Sequence, residues 1–244
     1  MVSKITTAEE ALFMIKVAEI ARRPDDMLEF AVLFIKLKEK ELTKEEQTLI
    51  INTFKNLTKS KRKLMRRICE DEERLKNDKS FQRNDFVKEV LADEIYEICK
   101  KGIDLIDEHL LKYSTTDRSK IVYLKTKADF FRYICEITKY SDHNVAIEEA
   151  EFAYVKAKNL ADKVLPFYDV VRIGLAVNYT AFLVETKGNY SVGCLTARGI
   201  HMMSLECFAK QDLDEEEHKE ALDMLRILKH NLMRWKALGR DYFT

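Results

Sequence analysis

Apolar residues recur along this chain at spacings of three and four, the signature of helices that each bury one face. Thr7-Ala8-Glu9-Glu10 has the form of a capping box and opens a run with Leu12, Phe13, Met14, Ile15, Val17, Ala18 and Ala21 on one broad face, ending near Pro24. Asp25 and Asp26 begin a second helix through Phe30, Leu33, Phe34 and Leu37. Thr43-Lys44-Glu45-Glu46 caps a long third one that starts with Leu49 and Ile50. After a polar stretch from Asn77 to Asn84, expected to be a turn, a fourth helix carries Phe86, Val90, Leu91, Ile95, Ile98, Ile103, Ile106 and Leu110. A fifth follows the loop Tyr113 to Ser119 and runs to about Tyr140, where Ser141-Asp142-His143-Asn144 breaks the pattern.

The second half continues in the same way. A sixth helix is expected over Val145 to Leu165, and Pro166 to Asp169 separates it from a seventh over Val170 to Lys187, closed by Gly188-Asn189. Ser191 begins an eighth helix, and the acidic run Asp212 to Glu217 suits the positive N-terminal end of a ninth, lined by Leu222, Leu225, Leu228, Leu232 and Trp235. The reading is therefore all-α, nine antiparallel helices with short connections. No repeat of fixed period is present, which argues against a regular tetratricopeptide array.

Composition agrees with this pattern. Only six glycines and two prolines occur among 244 residues, of which 46% are apolar and 34% charged, so turn and strand-breaking residues are scarce. Lys plus Arg and Asp plus Glu are each 42, and a formal charge of zero gives no bulk attraction to nucleic acid. Any anion site must be local. The five cysteines are scattered, without a CxxC, and are expected to be reduced thiols of a cytoplasmic protein. No apolar run approaches the ~18 residues that span a bilayer, so no membrane insertion is expected.

Familiar catalytic patterns are missing: there is no GxSxG, no glycine-rich phosphate loop, and Glu215-x-x-His218 stands without the second copy that a di-iron bundle needs. No enzyme, metal or cofactor is expected. What stands out is a set of helix faces. Lys125, Asp129 and Arg132 lie four and three apart on the fifth helix, a cationic pair with a carboxylate between them, although three charges on a solvated face would look the same. Lys55 and Arg62 are seven apart on the third helix, Asn178 and Glu185 share a face of the seventh, and Asn231 and Trp235 are four apart on the ninth. Lining one groove, these faces would bind an extended phosphopeptide; a helical scaffold for unmodified peptides, of tetratricopeptide type, is the alternative.

Four segments in order resemble the 14-3-3 family. Phe54-Lys55-Asn56-Leu57 with Lys61-Arg62 is similar to the family's YKNV…RR segment, and Ser119 to Asp129 followed by Arg132-Tyr133 is similar to SKVFYLKMKGDYYRY. Arg172 to Tyr179 resembles RLGLALNF, and Asn231-Leu232 with Trp235 resembles the NLTLW ending of the last helix. The resemblance implies one domain over residues 1–244 with a short tail from about 239, and a cup-shaped protomer whose amphipathic groove takes phosphoserine or phosphothreonine segments of client proteins in signalling. It assigns the phosphate to Lys55, Arg62, Arg132 and the Tyr133 hydroxyl, with Asp129 orienting Arg132 and Tyr133 and with Lys125 on the same wall. Asn178 and Asn231 would bond the peptide backbone, Glu185 and Trp235 would support that wall, and Val177, Ala181, Ile227 and Leu228 would supply apolar contacts. It also implies a homodimer, or a heterodimer with a relative, through Val17, Ala18, Ala21, Leu64 and Ile68, with Arg23 pairing Glu94 across the contact. Departures from the family are equally specific. Asp223 and Arg234 stand where leucines are usual, so that wall is more polar and Arg234 is expected to favour an acidic or polar residue beyond the phosphosite. Across the implied dimer contact Asp26 would face Val90 where a lysine is usual, Phe86 or Val87 replaces a tyrosine, and the chain is neutral where relatives are acidic.

Overall fold

The computed structural model describes residues 5–75, 85–137, 142–208 and 215–238. The expected turn over Asn77 to Asn84, the break at Ser141, the start of the acidic run at Asp212 and the tail from 239 lie outside the described residues. Within them, nine helices and no strand are present. The chain separates into two compact units, α1 to α4 in the first and α5 to α9 in the second. No helix among the described residues is long and apolar enough to cross a membrane.

In the first unit, α1 (Ala8–Ile20) begins as its sequence requires. Thr7 Oγ1 accepts the Glu10 N–H at 3.2 Å while the Glu10 carboxylate accepts the Thr6 and Thr7 N–H groups, closing the capping box. Its buried residues are Ala11, Ile15 and Ala18, a narrower stripe than the broad apolar face of the sequence. Phe13 remains 65% exposed and Ile20 84% exposed. The antiparallel partner α2 (Pro24–Leu37) has Pro24 in its first turn, where a missing N–H costs nothing, and buries Leu28, Phe30, Ala31, Phe34 and Ile35.

A second reciprocal cap, Thr43 with Glu46, starts α3 (Lys44–Leu75). Its buried positions run from Ile50 to Arg62 and stop there, and ion pairs join its C-terminal half to α4 (Asp85–Leu105): Lys88 bonds Glu72 at 2.8 Å, and Lys61 bonds Glu94 at 2.8 Å. The α4 rod continues through a wider π-helical turn, Ile106–Leu110, that keeps Ile106 and Leu110 buried.

The second unit holds α5 (Asp117–Ile137), α6 (Asp142–Val164), α7 (Val170–Ala181), a π-helical turn over Phe182–Thr186, α8 (Tyr190–Phe208) and α9 (Glu215–Leu238). Asp169 caps α7 by accepting the Val171 N–H at 2.8 Å and pairs with Arg118 at the start of α5. Gly188, at φ +67°, ends the rod in the left-handed region, as the Gly-Asn pair foretold. Ile173, Val177, Val184, Cys194, Leu225, Leu228 and Trp235 form a core among α7, α8 and α9. Gly193 lets α8 approach closely, since a Cβ there would stand 2.4 Å from Val184 Cγ2.

Two positions should respond to substitution with opposite signs. Arg22 sits at φ +54°, donating to Glu19 while Arg23 donates to Ala18, the pair of bonds that closes a helix around a left-handed residue normally filled by glycine. Arg22→Gly should therefore stabilise the chain by about 0.5–1 kcal/mol. Gly193→Ala should overfill the α8 contact and destabilise it by about 1–3 kcal/mol. Urea unfolding followed by circular dichroism checks both, and midpoints that leave the two variants unmoved or reversed would reject the geometry.

Candidate functional site

The α5 face singled out by spacing is organised around a carboxylate with no solvent exposure. Asp129 turns inward at 0% exposure, against Tyr154 of α6 and Asn178 of α7, with no solvent to hydrate it. Such a group must be satisfied by donors. Tyr154 Oη of α6 donates to Oδ1 at 2.6 Å, and Asn178 Nδ2 of α7 lies 2.8 Å from both oxygens. Lys125 Nζ donates to Oδ2 at 3.2 Å, one turn back on the same helix. Helices α5, α6 and α7 thus meet at one side chain.

Arg132 is held beside this carboxylate without being consumed by it. Its Nε donates to Tyr154 Oη at 3.2 Å, while its terminal nitrogens stand 3.5 Å from Asp129 and 3.5 Å from Glu136. Charge-assisted bonds are usually near 2.8 Å, and five N–H donors are not exhausted by three contacts, two of them this long. The guanidinium also lies over the Tyr133 ring, 4.7 Å from its centroid. Although burial opposes its charge, Tyr154, Asp129 and Tyr133 hold the Arg132 proton well above the ordinary range. Burial first, and the Asp129 charge second, push the Tyr154 phenol well up, so it stays a neutral donor to Asp129.

Tyr154 is the member of this cluster that sequence reading missed. It lies four residues after Ala150 in a buried stripe otherwise made of Ala146, Ala150, Ala153, Ala157 and Ala161, and its ring packs against Tyr179 and Phe182 at centroid distances of 5.5 and 5.4 Å. A lone tyrosine in an alanine stripe is the signal that could have found it: the small neighbours leave room for the ring, and the hydroxyl needs a partner.

The remaining expected site residues divide by accessibility. Val177, Leu228 and Trp235 belong to the core of the second unit, Trp235 at 1% exposure, whereas Ala181 and Asn231 are half-buried and Ile227 is exposed. Trp235 reaches the surface only through Nε1, which donates to Glu185 at 3.2 Å. Glu185 also pairs with Arg234, and Asp223 pairs with Arg226, so both departures from the leucine pattern are charges with partners of their own. Lys55, half-buried, and Arg62, at the limit of burial, lie two turns apart on α3 in the first unit.

Of the expected dimer residues, Val17, Ala21 and Leu64 are exposed and Ile68 is half-buried, while Ala18 is already inside the core of its own unit. Arg23 bonds Asp26 at 2.7 Å and Glu94 bonds Lys61, so each member of the expected cross-dimer pair has a neighbour within its own unit. No disulfide joins the cysteines among the described residues: Cys69 is exposed, Cys99, Cys135 and Cys194 are buried, and Cys207 is intermediate. Burial pushes the Cys135 thiol up to about 11, which leaves it protonated and unreactive near neutrality. Among the described residues no three His, Cys, Asp or Glu side chains are placed to hold a metal ion.

Comparison with known proteins adds an independent line. A family model described as 14-3-3 protein matches residues 14–236. A 14-3-3-like protein of Chlamydomonas reinhardtii is 32% identical over 238 residues, covering 96% of this chain and 91% of that protein. The 14-3-3-like protein GF14-E of Oryza sativa subsp. japonica is 32% identical over 234 residues, with coverages of 94% and 88%. Mouse 14-3-3 protein theta is 30% identical over 224 residues, with coverages of 91% and 90%. Similarity at this level runs through both helical units and includes the Asp129 cluster within the matched span, so the chain belongs to the 14-3-3 family.

Proposed function

We propose that this protein is an adaptor, not an enzyme, that binds phosphoserine or phosphothreonine segments of client proteins in the cytoplasm and acts as a two-fold dimer. The observation that carries the reading is Arg132. A guanidinium fixed by Tyr154 and lying beside an Asp129 already supplied with other donors is a charged, oriented group with hydrogens to spare. A phosphate brings about −1.5 to −2 charge and three acceptor oxygens to such a group, and an unmodified serine brings neither. Family membership extends the reading to Lys55, Arg62 and Tyr133 as further phosphate ligands, and to Lys125 on the same wall.

Asn178 supports the same reading from α7. Its NH2 group faces the Asp129 carboxylate, which leaves its carbonyl oxygen as an acceptor for a peptide N–H. Asn231 on α9 is assigned to the peptide backbone likewise, with Ala181 and Ile227 as accessible apolar contacts. The dimer reading draws on the uncovered stripe of α1, where Phe13, Val17 and Ile20 are exposed, and on Leu64 of α3.

Fluorescence polarisation with a labelled phosphoserine peptide and its unphosphorylated twin tests the function. The phosphorylated form should bind at least about tenfold more tightly. Equal affinities would instead indicate a scaffold for unmodified peptides. Arg132→Ala should cost about 2–5 kcal/mol of binding, and Tyr154→Phe should weaken binding while costing about 1–3 kcal/mol of stability by leaving a buried acceptor short of its donor. Because Arg132 keeps its proton far above neutrality, affinity should be level at alkaline pH and fall as the peptide phosphate takes up its second proton near ~6. Sedimentation at micromolar concentration should give a species of twice 28.7 kDa, and a species of 28.7 kDa alone would refute the dimer.

A further inference from the structure

Glu185 is held from two sides at the surface of the second unit. Buried Trp235 donates its Nε1–H to Glu185 Oε1 at 3.2 Å, and the Arg234 guanidinium pairs with the same oxygen. The indole, at 1% exposure, fixes where the carboxylate stands, while the two charged side chains are 51% and 44% exposed and stay within reach of a ligand. Both lie on elements that carry the proposed peptide contacts: Glu185 follows Asn178 by seven residues along one continuous rod, and Arg234 follows Asn231 by three on α9. Trp235 shares its core with Val177, the residue beside Asn178.

A half-exposed carboxylate in that position, left to itself, attracts a basic side chain of the bound segment. Arg234 already occupies it. We propose that Arg234 is a specificity-determining residue of this chain: by neutralising Glu185 it removes the preference for lysine or arginine at one position of the bound segment. The peptide wall is then selective through masking of Glu185, not through direct attraction of Arg234 to an acidic residue. This inference rests on the phosphopeptide reading above.

The test is a positional scan of a labelled phosphoserine peptide in which each neighbour of the phosphoresidue is replaced in turn by lysine, alanine or glutamate. It is measured on the full chain, on Arg234→Leu, on Arg234→Gln and on Arg234→Leu combined with Glu185→Gln. Wild type should show no gain for lysine. Both Arg234 variants should gain about two- to fivefold for lysine over alanine at one position, the range of an exposed ion pair, and the gain should vanish in the double variant and at high salt. Far-ultraviolet circular dichroism and a urea midpoint close to that of wild type report that the variants remain folded. Identical scans for wild type and both single variants, or a gain that survives Glu185→Gln, would overturn this proposal alone. Loss of discrimination between phosphorylated and unphosphorylated peptide in wild type would overturn the phosphopeptide reading, and this proposal with it.

Discussion

The second unit depends on where one negative charge is placed. Asp129 is removed from water altogether, a position that costs several kcal/mol for a carboxylate without partners. Its oxygens receive a phenol from α6, an amide from α7 and an ammonium from α5, so one side chain fixes the relative placement of three helices. Substituting any single donor leaves the others around a charge that is less well satisfied. That is why Tyr154, far from the surface and absent from any motif, matters as much as the cations it helps to position.

The same arrangement separates two uses of positive charge. Lys125 donates directly to Asp129, whereas Arg132 bonds the neutral Tyr154 oxygen and meets its carboxylate neighbours only at long range. A chain with no net charge can in this way still present a fixed cationic group, because the field near a ligand is set by orientation and burial and not by the sum over 244 residues. On α9 the logic runs the other way. Arg234 and Glu185 pair at the surface, so their opposite charges cancel there.

Most of the helices are legible in the sequence, because each carries its own instructions. The Thr7–Glu10 and Thr43–Glu46 boxes, Pro24 and Gly188-Asn189 act through neighbours within a few residues, so their effect does not wait on the fold. The width of the apolar faces was not legible in this way. Helix α1 offers apolar side chains around half its circumference, and only Ala11, Ile15 and Ala18 are fully buried. Periodicity records which residues avoid water, not which surface is brought against them.

The candidate site divides along the same line. The sequence by itself determined that α5 carries Lys125, Asp129 and Arg132 on one side, since seven residues make two turns of any helix, and that Asn178, Asn231 and Trp235 stand on helical faces in a family-like order. Only the tertiary structure decided that Asp129 is buried and shared among three helices, that Tyr154 joins it to Arg132, that Trp235 is core with a single polar handle, and that Arg234 is committed to Glu185. The reason is distance along the chain: these partners lie 22 to 50 residues apart, and nothing in local spacing says which helix will bring a donor to a charge.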